Sequence, residues 1–292
     1  MDVDETPPVL QEVAAAPEPA ARPARGLVAR FRLSDGQVHP IRYPASPSRQ
    51  VSAFAIGVVK GGSTLLHRIL EDLQPYSSRK FLPISRKFFA SGIPFREVVE
   101  DMDSLFHQPG YVFATLRWLP PKFHINALET QKKILLVRDP RDMLVSAYYS
   151  FRESHGIPNS GPVKTSLERT RKRLLNLTLD EYVRSAATPL KAKYFRLMTL
   201  LATRNLLLRR YEDIIFDKES FVRDIADFFE IDLPFEDIAV IAGKHDIIPE
   251  TENTSKHIRQ VKPRNFESKL SPGTVEEISH TLRAVLCEFD YK

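Results

Sequence analysis

The sequence predicts an α/β fold of three layers, a central and mainly parallel sheet flanked by helices, with a β-hairpin added at its front. Three stretches carry that expectation. Residues 51–73, VSAFAIGVVKGGSTLLHRILEDL, begin with an apolar, partly β-branched run at 54–59, suited to a strand buried on both faces. They pass through Lys60-Gly61-Gly62-Ser63-Thr64 into a helical pattern with Leu65, Leu66, Ile69, Leu70 and Leu73 on one face. Residues 132–151, KKILLVRDPRDMLVSAYYSF, repeat the arrangement, with a strand at 134–137, Asp139 as N-cap and Pro140 as first helical residue. Residues 205–211 give a third strand, with Leu206, Leu207 and Leu208 in one run, and Phe221, Ile225 and Phe229 mark the helix after it. Strands alternating with helices in this way build a parallel sheet.

From the front, residues 1–24 hold Pro7, Pro8, Pro17, Pro19 and Pro23 among alanines and acids. They bury too little to fold and read as a disordered tail. Residues 25–49 read as a hairpin extension, because apolar and polar residues alternate on both sides of the turn pair Asp35-Gly36. Its expected place is the sheet edge, which it would cover. Residues 50–292 form the main domain. Within it, 74–122 is rich in aromatic residues, mostly core, with some of those at 81–95 available to line a pocket. A short buried strand is expected at 111–116. Helices are expected at 165–187 and 190–204, the second with Leu190, Tyr194, Leu197 and Leu201 as its buried stripe. The last helix opens at Ser271-Pro272 and docks through Val275, Ile278, Leu282, Val285 and Phe289.

With 42% hydrophobic residues, a chain of 292 residues suffices for one large core. The net charge of +5 suits an anionic ligand, and by itself equally nucleic acid or an acidic membrane surface. No Lys/Arg run with interleaved aromatics favours RNA or DNA, so no nucleic-acid partner is expected. A lone cysteine, Cys287, excludes an internal disulfide and a Cys-based metal cluster. No apolar stretch reaches about eighteen residues, and the acidic, proline-rich start is unlike a signal peptide. The reading is a cytoplasmic enzyme with no transmembrane segment.

The turn after the first strand is a ready anion site. Its glycines admit close backbone approach, the free N–H groups of the first helical turn point at the anion, and Lys60 adds a full charge. A nucleoside-triphosphatase loop, G-x-x-x-x-G-K-[ST], has its lysine after the second glycine. Here Gly57 and Gly62 keep the separation, but Ser63 stands in the lysine's place and the lysine lies upstream, at Lys60. That order resembles the 5′-phosphosulfate loop, K-[SG]-G-[ST]-T, of sulfotransferases that use 3′-phosphoadenosine 5′-phosphosulfate (PAPS). Their 3′-phosphate motif, R-[DN]-P-x-D-x-x-x-S followed by a tyrosine pair, is similar to Arg138, Asp139, Pro140, Asp142, Ser146, Tyr148 and Tyr149. The resemblance covers roughly residues 51–291. It implies a P-loop-like fold and transfer of a sulfuryl group from PAPS to a hydroxyl or amine, with PAP as product. It also implies that Lys60, Gly61, Gly62, Ser63 and Thr64 surround the 5′-phosphosulfate, that Arg138 and Ser146 hold the 3′-phosphate, and that Tyr211, opening a Y-E-D element, sits near the adenine. Residues 250–270 resemble the family's mobile basic loop, so Arg259 and then Lys262 are expected at the 3′-phosphate, although Asn265-Phe266 replaces the usual Gly-Trp. No metal is implied. The acceptor is a small molecule, lipid or saccharide that no residue identifies.

Cytosolic members end the strand equivalent to 111–116 in K-T-H-L-P, whose histidine is the base. The stretch here is Ala114-Thr115-Leu116-Arg117, without histidine. His155, beyond the 3′-phosphate helix in a Gly-Pro loop, is placed to take a proton from an acceptor hydroxyl near neutral pH. A loop histidine that caps the helix is the plainer alternative. Glu153, His107 and Asp101 are weaker candidates, since such residues in loops are mostly solvated. Two rival readings stay open: a P-loop nucleotide kinase or triphosphatase, and a non-catalytic nucleotide-binding protein of the same fold that has lost its base.

Overall fold

The structure, a computed structural model, describes residues 27–99, 102–117, 119, 125–249 and 260–292. The tail expected at 1–24 lies outside them. The strands are β1 (Leu27–Arg32), β2 (Val38–Tyr43), β3 (Ala53–Gly57), β4 (Lys80–Pro83), β5 (Tyr111–Leu116), β6 (Lys133–Val137) and β7 (Leu206–Arg210). The first helices are α1 (Ser63–Leu73), α2 (Ile84–Ala90), α3 (Asp103–Phe106), α4 (Ala127–Thr130), α5 (Pro140–Tyr149), α6 (Pro162–Leu174) and α7 (Leu179–Met198). After β7 come α8 (Tyr211–Ile214), α9 (Lys218–Phe229), α10 (Phe235–Lys244), α11 (Asn265–Lys269) and α12 (Pro272–Glu288). Among the described residues no helix is long and apolar enough to cross a membrane.

Strands β4-β5-β3-β6-β7 form one sheet in that order, and every pairing is parallel. The three central strands are buried along their whole length, which is why their sequences are apolar runs rather than alternating ones. On β3 the two-residue period sends Phe54 and Ile56 to one face and Ala53 and Ala55 to the other. The small alanines let α1 lie close, and its Leu66, Ile69, Leu70 and Leu73 are all fully buried. Burial of such side chains contributes about 1.5–3 kcal/mol each. The Phe54 face packs against α2, α7 and α12 through Phe88, Tyr194 and Val285. Strand β3 has β5 and β4 on one side and β6 and β7 on the other. The winding therefore reverses at β3, and the crevice beyond the carboxyl ends of β3 and β6 is where such sheets bind ligands.

The hairpin β1–β2 forms around Asp35-Gly36, with Gly36 at φ 85° and Asp35 Oδ1 accepting from the Gln37 amide at 2.9 Å. It is a sheet of its own and does not extend the main one. It packs inward instead: Phe31, Leu33, Ile41 and Tyr43 join the core, and the Phe31 ring meets Phe88 edge-on at 4.7 Å. Two helix boundaries also differ from expectation. The break falls at residues 175–178 rather than at Pro189, which lies inside α7. Thr178 and Glu181 form a reciprocal capping box that starts α7, and this outweighs the proline. Tyr211 opens the short helix α8 instead of ending β7.

Candidate active site

The first motif is the turn from β3 into α1. Gly61 donates back to the Val58 carbonyl at 2.9 Å, and Lys60 and Gly62 take left-handed φ values of 65° and 90°. At Gly62 a side chain would be strained twice over, since a Cβ there would lie 2.9 Å from Tyr211 and 3.1 Å from Leu136. Gly62 thus lets the loop press onto the end of β6. Ser63 is buried at the helix start, and Thr64 is the next residue along.

The second motif leaves the neighbouring strand. Asp139 caps α5 by accepting from the Arg141 amide at 2.8 Å, and its carboxylate also pairs with the Arg141 guanidinium at 2.7 Å. Arg138 is held on several sides. Its Nη1 donates to the Lys60 carbonyl at 3.2 Å, its Nη2 lies 3.5 Å from Asp142, and its guanidinium stacks 4.4 Å from the Tyr211 ring centre. The Tyr194 hydroxyl donates to the Arg138 carbonyl, and the Arg138 Nε is buried without a partner. Asp142 has a fully buried side chain and accepts from the Arg264 and Phe266 amides at 2.9 and 3.0 Å. Burial raises its carboxyl above the ordinary carboxylate value, while Arg138 and the two amides pull it back.

Between these motifs lies a cavity of about 450 Å³. Its lining brings together Lys60, Gly62, Ser63, Thr64, Arg138, Ser146, His155 and Tyr211. Gly61 sits behind, against Val58 and Arg138. Tyr211 is buried, donates to the Val261 carbonyl at 3.3 Å, and so ties the loop to the 260–266 segment. Lys262 is exposed and outside the lining, and Arg259 and Asp101 lie outside the described residues. His107 and Glu153 are exposed and away from the cavity.

His155 comes after a π-helical turn, Ser150–Ser154, that continues α5, and its amide donates to the Ser150 carbonyl at 2.7 Å. Its half-buried ring meets Phe151 and Phe89 edge-on, at 4.9 and 5.7 Å. The sequence reading missed several cavity residues. His67 lies one turn into α1, with its Nε2 2.8 Å from Arg86 and 3.1 Å from Glu71, and burial lowers its pKa. Arg117, at the end of β5, is desolvated and carries a buried, unpartnered Nε. Lys218 is buried and pairs with Asp246 at 2.8 Å. These come from elements far apart in sequence, so no local motif signals them; only the i, i+4 spacing of His67 and Glu71 was visible.

A second cavity, about 490 Å³, adjoins the first and shares Val59, Lys60 and Arg117 with it. Its other walls come mainly from α5, α6 and α7, with Met143, Leu144, Leu167, Ala186 and Leu190 among them. Two adjoining cavities with a lysine at their junction can hold a donor and an acceptor against each other.

The family model for the sulfotransferase domain matches residues 52–284. Comparison with curated proteins gives no match. Among solved structures, mouse sulfotransferase SULT7A1 complexed with PAP is similar at a TM-score of 0.50 and 16% identity, over 84% of this chain and 90% of that one. Retinol dehydratase in complex with androsterone and inactive cofactor PAP gives a TM-score of 0.47 at 18% identity, over 82% of each chain. The fold is shared with SULT7A1, and the family model spans most of the sequence, including the β3–α1 and β6–α5 turns and the strands between them. The chain belongs to the sulfotransferase domain family.

Proposed function

We propose that this sulfotransferase moves the sulfuryl group of PAPS to a hydroxyl, or an amine, of an acceptor held in the second cavity, releasing PAP. The contact that most supports the reading is Arg138 Nη1 on the Lys60 carbonyl, which places a buried guanidinium directly beside the glycine turn. The residues present fit a doubly phosphorylated nucleotide: Arg138 keeps an unpartnered Nε, and the cavity carries Lys60, Arg117 and Lys218 beside Gly62, Ser63 and Thr64 at the start of α1. Lys60, Ser63, Thr64 and the first amides of α1 would hold the 5′-phosphosulfate. Arg138 and Ser146 would hold the 3′-phosphate, with Tyr211 at the adenine end. Arg259 and Lys262 are assigned to the 3′-phosphate end as well, Lys262 standing one residue beyond the cavity-lining Val261.

Bound there, PAPS supplies the sulfuryl group. Lys60 stabilises charge that develops on the leaving phosphate, and the buried Arg138 fixes the orientation of the donor. His155, its ring braced by Phe89 and Phe151, takes the proton of the acceptor hydroxyl.

The test is calorimetric titration with PAP and with 5′-AMP, without added magnesium, followed by transfer of labelled sulfate from PAPS to a panel of alcohols, sugars and amines. A 3′-phosphate site makes PAP bind about tenfold tighter or more, since one charge-assisted contact is worth roughly 1.5–3 kcal/mol. Equal affinities would overturn the assignment of Arg138 and Ser146. A strict magnesium requirement with a nucleoside triphosphate would favour a kinase, and tight PAP binding with no transfer to any acceptor would favour a non-catalytic binder.

A further inference from the structure

Among the described residues, four that bear hydroxyls line the second cavity: Thr170 from α6, and Tyr182, Ser185 and Tyr194 from α7. Three of them give their protons to the backbone. Thr170 donates to the Ser166 carbonyl at 2.9 Å, Ser185 to the Tyr182 carbonyl at 2.8 Å, and Tyr194 to the Arg138 carbonyl. Tyr182 differs. It is only 7% exposed, its ring lies 5.7 Å from that of Tyr148, and among the described residues nothing bonds its hydroxyl. The Tyr43 hydroxyl also lacks a partner, but it is sealed inside the core, whereas Tyr182 belongs to a cavity wall. Burial pushes the Tyr182 hydroxyl up to about 12, with Arg173 pulling the other way, so it is a neutral phenol able to donate and to accept.

Tyr182 stands well away from the junction of the two cavities. They meet at Val59, Lys60 and Arg117, and Tyr194 fastens the C-terminal half of α7 nearby, at Arg138. Tyr182 precedes Tyr194 by twelve residues of α7, about 18 Å along the helix axis. The rest of the wall is rich in apolar side chains, with Met143, Leu144, Leu190 and Leu197 among them. An apolar body lying there displaces water, and the phenol then keeps a hydrogen bond only if the ligand supplies one. A site built in this way discriminates against a ligand that lacks the matching group.

We propose that Tyr182 is a specificity-determining residue, and that the acceptor carries a second uncharged oxygen, hydroxyl or ether, at the end of its apolar body remote from the reacting hydroxyl. The reacting hydroxyl lies at Lys60, the body runs along α7, and the Tyr182 hydroxyl bonds the remote oxygen. This rests on the sulfotransferase reading for which end of the molecule reacts.

The experiment uses the full chain, as parent and as Tyr182→Phe, with three probes: dodecane-α,ω-diol, its monomethyl ether and dodecanol. Labelled sulfate transfer from PAPS gives kcat/KM for each, and calorimetry on the PAP complex gives affinity apart from turnover. In the parent the diol should exceed dodecanol by about tenfold in both, after allowance for its two reactive ends. The ether should match the diol if the Tyr182 hydroxyl donates, and fall to the level of dodecanol if it accepts, which tells the two remote groups apart. In Tyr182→Phe, checked for folding by its PAP affinity, the ratio of diol to dodecanol should collapse to near one. A ratio that persists in the variant, or equal turnover of diol and dodecanol by the parent, refutes the Tyr182 contact while sulfuryl transfer stands. Should no probe be sulfated while the diol binds the PAP complex more tightly than dodecanol in the parent alone, the contact stands and the transfer reading falls. Absence of binding by all three overturns the inference.

Discussion

Asp142 is the strongest single test of how the site is held together. Its side chain is fully buried and serves three donors: Arg138, and the amides of Arg264 and Phe266. In Asp142→Ala the Phe266 amide, at a buried residue, loses its acceptor, which costs about 1–3 kcal/mol. Arg138 becomes a buried cation without its carboxylate, and breaking such a pair costs about 3–5 kcal/mol. The two effects share one pocket and overlap, so the expected loss is about 3–5 kcal/mol in total. Asp142→Asn retains a carbonyl acceptor and gives up the charge, so it should lose less, about 1–3 kcal/mol. Urea unfolding monitored by fluorescence measures both, with an unchanged slope showing that the folded state keeps its compactness. The same variants should weaken PAP, because the 264–266 segment carries the chain on from Gln260 and Val261 at the cavity wall. An Asp142→Ala protein within about 1 kcal/mol of the parent would refute the claim that this carboxylate fastens the segment.

Three further outcomes are expected. Lys60→Ala should depress kcat more than it raises the KM for PAPS, because the charge it meets develops only in the transition state; steady-state kinetics with near-normal kcat would make Lys60 a ground-state anchor. His155→Ala should lower kcat by about 10²–10⁴-fold with little change in PAP affinity, and its pH–rate profile should lose the acidic limb; activity within a fewfold of the parent would make His155 a bystander. Lys133 on β6 is fully buried, donates to the Arg204 carbonyl, and burial lowers its pKa from 10.5 to about 8. The unfolded chain therefore binds more protons between these values. Its contribution to stability is complete above pH 10.5 and is lost as pH falls to about 8, a change of up to about 3 kcal/mol. The difference in unfolding free energy between parent and Lys133→Met should track that slope, and a difference flat across the window would count against it.

What could be read from the sequence was what is local. The β3–α1 turn and the β6–α5 turn each fit within about twenty residues, and their apolar periods, N-cap and Pro140 mark them without tertiary information. The break before α7 is local too: the Thr178–Glu181 capping box marks it within four residues, whereas the expected break lay at 188–189. The hairpin turn was legible from Asp35-Gly36, whereas its packing against Phe88 depends on α2, more than forty residues downstream. The same holds for the site. Nothing near Asp142 in sequence announces Arg264 and Phe266, and Arg117 becomes a cavity residue only because β5 lies beside β3. For Tyr211 the sequence left both an adenine contact and simple packing open, and its ring does pack, backing Gly62 and Arg138 where three strands meet at one end of the sheet.

The π-helical turn at Ser150–Ser154 makes the chain beyond α5 sensitive to length as well as to composition. Such a turn takes up one residue more than an α-helical turn, so the residues after it are out of phase with the preceding helix by about 100°. Removal of one residue between 150 and 154 would let the helix run on in regular register and swing His155 away from Phe89 by about that angle. Substitutions in this stretch leave the phase intact, whereas deletions rotate everything downstream of it, including the approach to α6, whose Arg171 bonds the His155 carbonyl at 2.7 Å. The direction of His155 is in this sense counted out along the backbone, one residue at a time.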